Sequence, residues 1–403
     1  MVHHEPLLQL NYLHQCLSQN KRPIGFFLSA GCPVSIKIRE DGEEIPLIPD
    51  ISGLTQIIRT NLLRSSQKEK FGIIISHFEE DGNPNPNIEQ ILTHIRSLRQ
   101  VAGNQEIRGI KAVDLDTLDT EICTEIVKAV KKDLPEAMTP YHKLSTWINT
   151  VQRDFPVEIF TTNYDLLIEQ ALEYYRVPYF DGFSGSNHSF FDSFSIEENI
   201  LPPKWARLWK LHGSINWFQS SKSGITRRIA QPNEADLCRV IHPSHLKYVE
   251  SRKMPYLAMI DRLKNFIKQP HSVLITCGYS FRDEHINAIF SESLHGNPTA
   301  IIFALLHSNI EKYPEAITIA KNSPNINLLA KNAAIIGTKQ RLWAEKTESD
   351  FEISGAITKS EENTITDPLF CQVVFNLGNF NKFGDQLEDI MGSDKPKESE
   401  GHV

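Results

Sequence analysis

Residues 156–169 read PVEIFTTNYDLLIE. Val157 to Phe160 is a short apolar run with β-branched residues, and it reads as a buried strand. Thr161, Thr162, Asn163 and Asp165 follow at once, and Leu166, Leu167, Glu169, Ala171 and Leu172 continue as a helix. Polar groups therefore stand where a strand ends and a helix begins. In an open α/β sheet that crevice is where ligands bind, and a helix N-terminus there offers free N–H groups to phosphate. A plainer account of the same residues makes Thr162 or Asn163 an N-cap, with Asp165 complementing the helix dipole.

The chain on either side repeats the pattern. Upstream, residues 5–19 form an amphipathic helix ended by Pro23, and Ile24 to Leu28 (IGFFL) is an apolar strand running straight into Ser29, Ala30 and Gly31. Small residues after a strand let backbone approach a pyrophosphate, though a turn that needs Gly for its geometry explains them equally well. Residues 36–50 read as a loop, and residues 51–154 as a helical insertion that needs no strand. Downstream, VPYFDG (177–182) is a short strand and turn, 183–203 a loop, and Arg207 to Leu211 a strand leading into His212, Gly213 and Ser214. Short strands fall in 225–249, and Pro255 to Ile267 is an amphipathic helix. Then come strand Ser272–Cys277 with Gly278 and Ser280 behind it, helix Asp283–Leu294, strand Thr299–Leu306, helix Glu311–Lys321 and a last strand Ala333–Ile336. Alternation of this kind predicts an α/β fold, a Rossmann-like parallel sheet with an inserted helical subdomain and a small C-terminal extension. The expected division is 1–50 and 155–345 for the sheet domain, 51–154 for the insertion and 346–403 for the extension, with a strand at Cys371–Phe375, a helix at Phe383–Met391 and a disordered tail.

Bulk properties narrow the class. With 40% hydrophobic and 23% charged residues the 403-residue chain is globular in composition. A net charge of −8 argues against binding nucleic acid by charge alone, and direct nucleic-acid binding is left open. The six cysteines are scattered without a CxxC pair, which gives neither a zinc ribbon nor a disulfide framework. With no signal peptide or membrane-spanning run in the sequence, the expected setting is the reducing cytoplasm.

Four strand ends, Ser29–Cys32, Thr161–Asp165, His212–Ser214 and Gly278–Ser280, would converge on one crevice. The set SAG, TTNYD, KLHGS and GYSFRDEHIN, in this order, resembles the sirtuin family, and most of all the bacterial sirtuin-like domains of antiphage defence systems. The resemblance spans roughly residues 23–345 and leaves out the insertion and the tail. It implies that Ala30, Gly31 and Cys32 cradle the pyrophosphate of NAD. It further implies that Thr162, Asn163 and Asp165 hold the nicotinamide ribose and carboxamide, that His212 is the catalytic base, and that Gly278 and Ser280 contact the dinucleotide. The sequence departs from the family in several places. Ser29 replaces the first Gly of the turn, and Pro33 stands near the usual Ser, with Ser35 as its substitute. Either Ile48–Pro49–Asp50 or Ile45–Pro46 answers to the family's Gly-Ile-Pro-Asp segment, without the Phe-Arg that follows it there. The zinc-ribbon cysteines are missing, so no zinc is expected and a deacylase reading loses weight while NAD binding does not.

The chemistry of NAD fits such a set. Its nicotinamide leaves as a neutral group, so no acid is needed, and a paired-carboxylate site is unnecessary. An amide such as Asn163 donates and accepts, and so can orient ribose hydroxyls and a water. Asp165 can accept from the carboxamide, and a His such as His212 titrates near neutral pH. The resemblance implies an NAD⁺ hydrolase with catalytic Asn163 and His212, acting as the NAD-depleting effector of antiphage defence. It also implies a homo-oligomer and a HerA-type DNA-translocating ATPase as partner. Two alternatives stay open. A protein deacylase would release nicotinamide only with acyl-lysine, and an NAD or ADP-ribose sensor would bind without turnover.

Other residues invite plainer readings. His242 and His245 lack a completing ligand set, and Lys128, Lys131 and Lys132 form one solvated helix face. Cys32 and Cys277 lie beside the site, where a nucleophile would fit and a small packing residue fits more readily. Asn309 either meets an adenosine ribose or caps a loop.

Overall fold

The computed structural model describes residues 3–40, 42–220, 225–229, 237–241 (backbone only), 255–347 and 355–392. The expectations for His242, His245 and the tail beyond Gly392 lie outside the described residues. A nine-stranded sheet organises the chain. Its strands are β1 (Ile24–Leu28), β2 (Glu158–Thr161), β3 (Tyr179–Phe180), β4 (Ala206–Lys210), β5 (Val273–Cys277), β6 (Ile301–Leu305), β7 (Ile326–Leu329), β8 (Ala333–Ile336) and β9 (Lys339–Leu342). Their order is β9-β8-β7-β6-β5-β1-β2-β4-β3. Pairing is parallel from β7 through to β3, and β8 and β9 continue the edge antiparallel.

Every residue of β1, β2, β4 and β5 is buried, as expected of strands covered on both faces. Strand alternation splits the core. Phe26, Leu28, Ile159 and Ile275 pack with the insertion and C-terminal helices, whereas Phe27, Phe160, Trp209 and Leu274 pack with helices Tyr256–Lys268 and Glu284–His295. The chain leaves β1 toward β2 on one side and returns at β5 on the other. The switch in direction therefore falls between β5 and β1, where such sheets open a crevice at the strands' carboxyl ends.

Several boundaries differ from the sequence reading. Residues 36–50 are not all loop, since Lys37–Glu40 and Glu43–Pro46 pair as an antiparallel hairpin. The insertion also contains a strand pairing, Glu106–Ile107 with Ile110–Lys111, turned by Arg108 and Gly109 at positive φ. The stretch 183–203 holds the pairing Phe183–Ser184 with Phe190–Phe191, then a short helix, Ser193–Glu198, capped by Asp192. Ala333–Ile336 is not the last strand and runs antiparallel, because the chain hairpins back from β7, itself a strand the sequence reading passes over. The C-terminal strand Phe370–Phe375 and helix Phe380–Met391 fall where expected.

Candidate functional site

The turn after β2 is held from two sides. Thr162 N–H donates to Leu28 O at 3.3 Å, and Ile215 N–H donates to Tyr164 O at 3.0 Å. The hydroxyls of Ser29 and Thr162 meet at 2.8 Å, and the Asn163 amide donates to Ser29 O at 3.2 Å. The helix that follows starts only at Leu167, its N-cap is Leu166, and no side chain caps it there. Neither Thr162 nor Asn163 is therefore consumed as a cap, and the half-buried Asn163 faces the crevice. Asp165 accepts from Leu167 N–H at 3.0 Å. Burial pushes the Asp165 carboxyl above its ordinary range, with the Lys210 ammonium working the other way. Lys210, only 1% exposed, donates to the Asp165 carbonyl and to Glu169 Oε1. The side chain from β4 thus braces the β2 turn from beneath.

His212 follows β4 at once, is buried, and places Nε2 3.2 Å from Asp283 Oδ2. The other oxygen of Asp283 accepts from His285 and Ile286 N–H at 3.0 and 3.3 Å, capping helix Glu284–His295. The turn before it is strained, with Phe281 at φ +61°. Asn287 holds it by donating to Phe281 O at 2.6 Å, while Tyr279 donates its hydroxyl to Asn287 Oδ1 at 2.8 Å.

These groups line a cleft of about 240 Å³. Ser29, Thr162, Asn163, Asp165, His212 and Asp283 give it a polar floor. Ile48, Pro49, Ile51, Leu54 and Val130 give an apolar wall, and Glu89 comes from the insertion helix Ile88–Ala102, whose N-cap is Asn87. Glu89 also accepts from the Tyr164 hydroxyl at 3.1 Å, tying the insertion to the floor. At this size the cleft falls below the roughly 300–1,000 Å³ of a site for a whole drug-sized ligand.

Of the residues singled out from sequence, Ala30, Thr162, Asn163, Asp165, His212 and Ser280 come together in this cleft. Gly31, Cys32, Ser35 and Gly278 do not line it. Gly31 and Gly278 lie beneath, backbone against backbone. Gly31 N–H donates to Gly278 O at 3.0 Å, and a Cβ on Gly31 would sit 2.6 Å from Gly278 Cα. The Cys32 thiol turns inward to Cys277 O, and burial pushes both thiols up, which suits packing and not nucleophilic attack. Ser35 donates to Cys32 O at 2.7 Å. Of the two isoleucine–proline pairs, Ile48–Pro49 reaches the cleft, whereas Ile45–Pro46 belongs to the hairpin. Asn309 opens a 3-10 turn without capping it and lies outside the cleft. Lys128 pairs with Glu125 at 2.6 Å on an exposed helix face.

Sequence reasoning passed over Asp283, Arg282 and Tyr164. Asp283 looks like an ordinary cap before a helix, and the quoted GYSFRDEHIN carries no mark that its carboxylate also meets a histidine 71 positions earlier in the chain. Among the described residues no three His, Cys, Asp or Glu side chains are grouped as metal ligands would be.

Residues 157–329 match a family described as the SIR2-like domain. The matched span runs from the start of β2 to the end of β7, so it contains Asn163, Asp165, His212, Gly278 and Ser280 and omits residues 29–33. No curated protein matches the chain. Among solved structures, one described as a crystal structure of a Sir2 homolog–NAD complex is 12% identical, covering 76% of this chain and 86% of its own at a TM-score of 0.33. Another, described as the structural basis for the mechanism and regulation of Sir2 enzymes, is 10% identical, covering 80% and 92% at a TM-score of 0.34. Likenesses of that size carry no argument about chemistry.

Proposed function

We propose that this protein hydrolyses NAD⁺ to nicotinamide and ADP-ribose. One observation carries the reading: Asn163, Asp165 and the His212–Asp283 pair meet in a single cleft at the switch point of the sheet. The SIR2-like match over the same strand ends supports it. In this reading NAD⁺ is the substrate, with its nicotinamide riboside end in the cleft and the ring against Ile48, Pro49 and Leu54. Asp165 accepts from the carboxamide, and Asn163, free of capping duty, orients the ribose and the attacking water. His212 takes the water's proton and Asp283 holds its ring. Arg282, exposed at the cleft's edge, supplies charge toward the pyrophosphate. From the resemblance we further propose a role as the NAD-depleting effector of an antiphage system, working as a homo-oligomer with a HerA-type ATPase. That extension rests on analogy rather than on site chemistry.

The test is nicotinamide release from NAD⁺, with and without an acyl-lysine peptide. Asn163→Ala and His212→Ala should each lower turnover by ~10²-fold or more with little change in melting temperature. Full activity in well-folded Asn163→Ala protein would falsify the assignment. Release that needs the acyl-peptide would point to a deacylase, and binding without release to a sensor.

A further inference from the structure

A second cavity, of about 550 Å³, opens at the same edge of the sheet one strand further along, beyond the carboxyl end of β6. It shares no lining residue with the first cleft. Lys312, Lys331, Lys382 and His307 line it, and no lining residue is acidic. Nearby acids are engaged elsewhere. Glu311 accepts from the Asn332 amide at 3.1 Å, and Asp385 accepts from Lys143 at 2.7 Å while lying 3.7 Å from Lys382. Lys312 and Lys331 have no ion pair among the described residues. In a chain of net charge −8 this is a concentrated positive surface, in which Asp385 offsets Lys382 alone of the three lysines among the described residues.

The cavity is also built. Gly378 presses its backbone on the end of β6, where a Cβ would lie 2.1 Å from the Leu306 carbonyl carbon. That contact fixes the start of the twelve-residue helix Phe380–Met391, whose N-cap, Asn379, lines the cavity and so sets the helix's N-terminus at its rim. Asn376 donates to Gly355 O and Thr358 Oγ1, both at 3.1 Å, and closes the opposite side. The surroundings register the charge: the His307 imidazole is held below its usual value, first by desolvation and then by Lys331, Lys37 and Lys312.

We infer that this cavity is a second anion site, made for a phosphate group that carries two or more charges. Lysines are point charges that suit a rotating phosphoryl group. Apart from His307 no aromatic ring lines the cavity, so recognition rests on phosphate charge rather than on stacking of a base. The shared chemistry is phosphoryl, and the source is either a free inorganic anion or the terminal phosphate of a nucleotide. The inference does not depend on what the first cleft hydrolyses.

Calorimetric titration of the full chain with pyrophosphate, ADP and adenosine tests it. Pyrophosphate and ADP should bind and adenosine should not. The double variant Lys312→Gln/Lys331→Gln should bind at least about tenfold more weakly with an unchanged melt. If that variant does not fold, Lys331→Gln alone should still weaken pyrophosphate severalfold. ADP binding no tighter than pyrophosphate identifies the free anion as ligand, and tighter ADP binding a nucleotide; either supports the site. As a control, Asn163→Ala should bind pyrophosphate as the unmodified protein does, and a loss there would move the anion to the first cleft and overturn the inference. So would absent pyrophosphate binding, or binding that ignores the lysine substitutions.

Discussion

Asp283 uses its two carboxylate oxygens for different ends, one to cap a helix and one to meet His212. An amide separates the two functions. Asn caps as well as Asp, so Asp283→Asn should melt like the unmodified protein. It lacks the charge that steadies the histidine, and NAD⁺ turnover should fall at least about tenfold. A variant that keeps full turnover would reduce Asp283 to a cap. The contrast with Asn163 shows what a sequence displays at this scale. The polar run Thr161 to Asp165 straight after an apolar strand places a site without any knowledge of its partners. The second role of the Asp283 carboxylate exists only through His212, and sequence spacing holds no trace of a contact across the crossover from β4 to β5. Gly31 and Cys32 show a use that sequence does not display: the small residues after β1 that suggest a phosphate cradle also pack against the neighbouring turn.

Among elements, β4 contributes a buried cation. Lys210 sits under the β2 turn and pairs with Glu169 at 2.7 Å. Removing one partner of a buried pair leaves the other charge stranded, so Lys210→Met should cost ~3–5 kcal/mol of stability. The cost should depend on pH. Burial already holds the Glu169 carboxyl above its usual value, against the pull of Lys210, and without that cation it rises further. A carboxyl raised in the folded state adds stability below its unfolded value and loses it as pH rises through the folded one. The deficit of the variant should therefore be largest near neutral and shrink as the pH falls toward about 5. Urea unfolding at the two pH values checks this, and an equal deficit at both would remove the ion pair from the explanation. Elements with strong apolar runs, β1, β5 and β6, fall where periodicity puts them. The hairpin of 37–46 does not, because its strands are largely exposed and its Asp41–Gly42 signal stands beside the prolines Pro46 and Pro49 that argue for loop.

At the level of the whole molecule, the insertion does more than fill sequence. Ile51, Leu54, Asn87, Glu89 and Val130 all reach the cleft. On the outer surface Phe190, Phe194, Ile200 and Trp205 are 49%, 71%, 81% and 38% exposed within one short stretch. Four exposed apolar side chains this close in sequence are candidates for the contact surface of the proposed closed homo-oligomer. Light scattering at micromolar concentration should give one discrete species larger than the 45.9 kDa chain, shifting again when a ring-shaped ATPase is added. Monomer alone, with no shift, would count against both proposals.

The interlock of Gly31 with Gly278 has a mechanical consequence. Two turns in contact through bare backbone, with no side chain between them to give way, are riveted together. The floor of the cleft is then one stiff plate running from Ala30 to Asp283. A side chain added at either turn would therefore be felt across that floor rather than absorbed locally. Glu89 of the insertion meets that floor through the Tyr164 hydroxyl, so wall and floor are joined by a hydrogen bond as well as by a shared core.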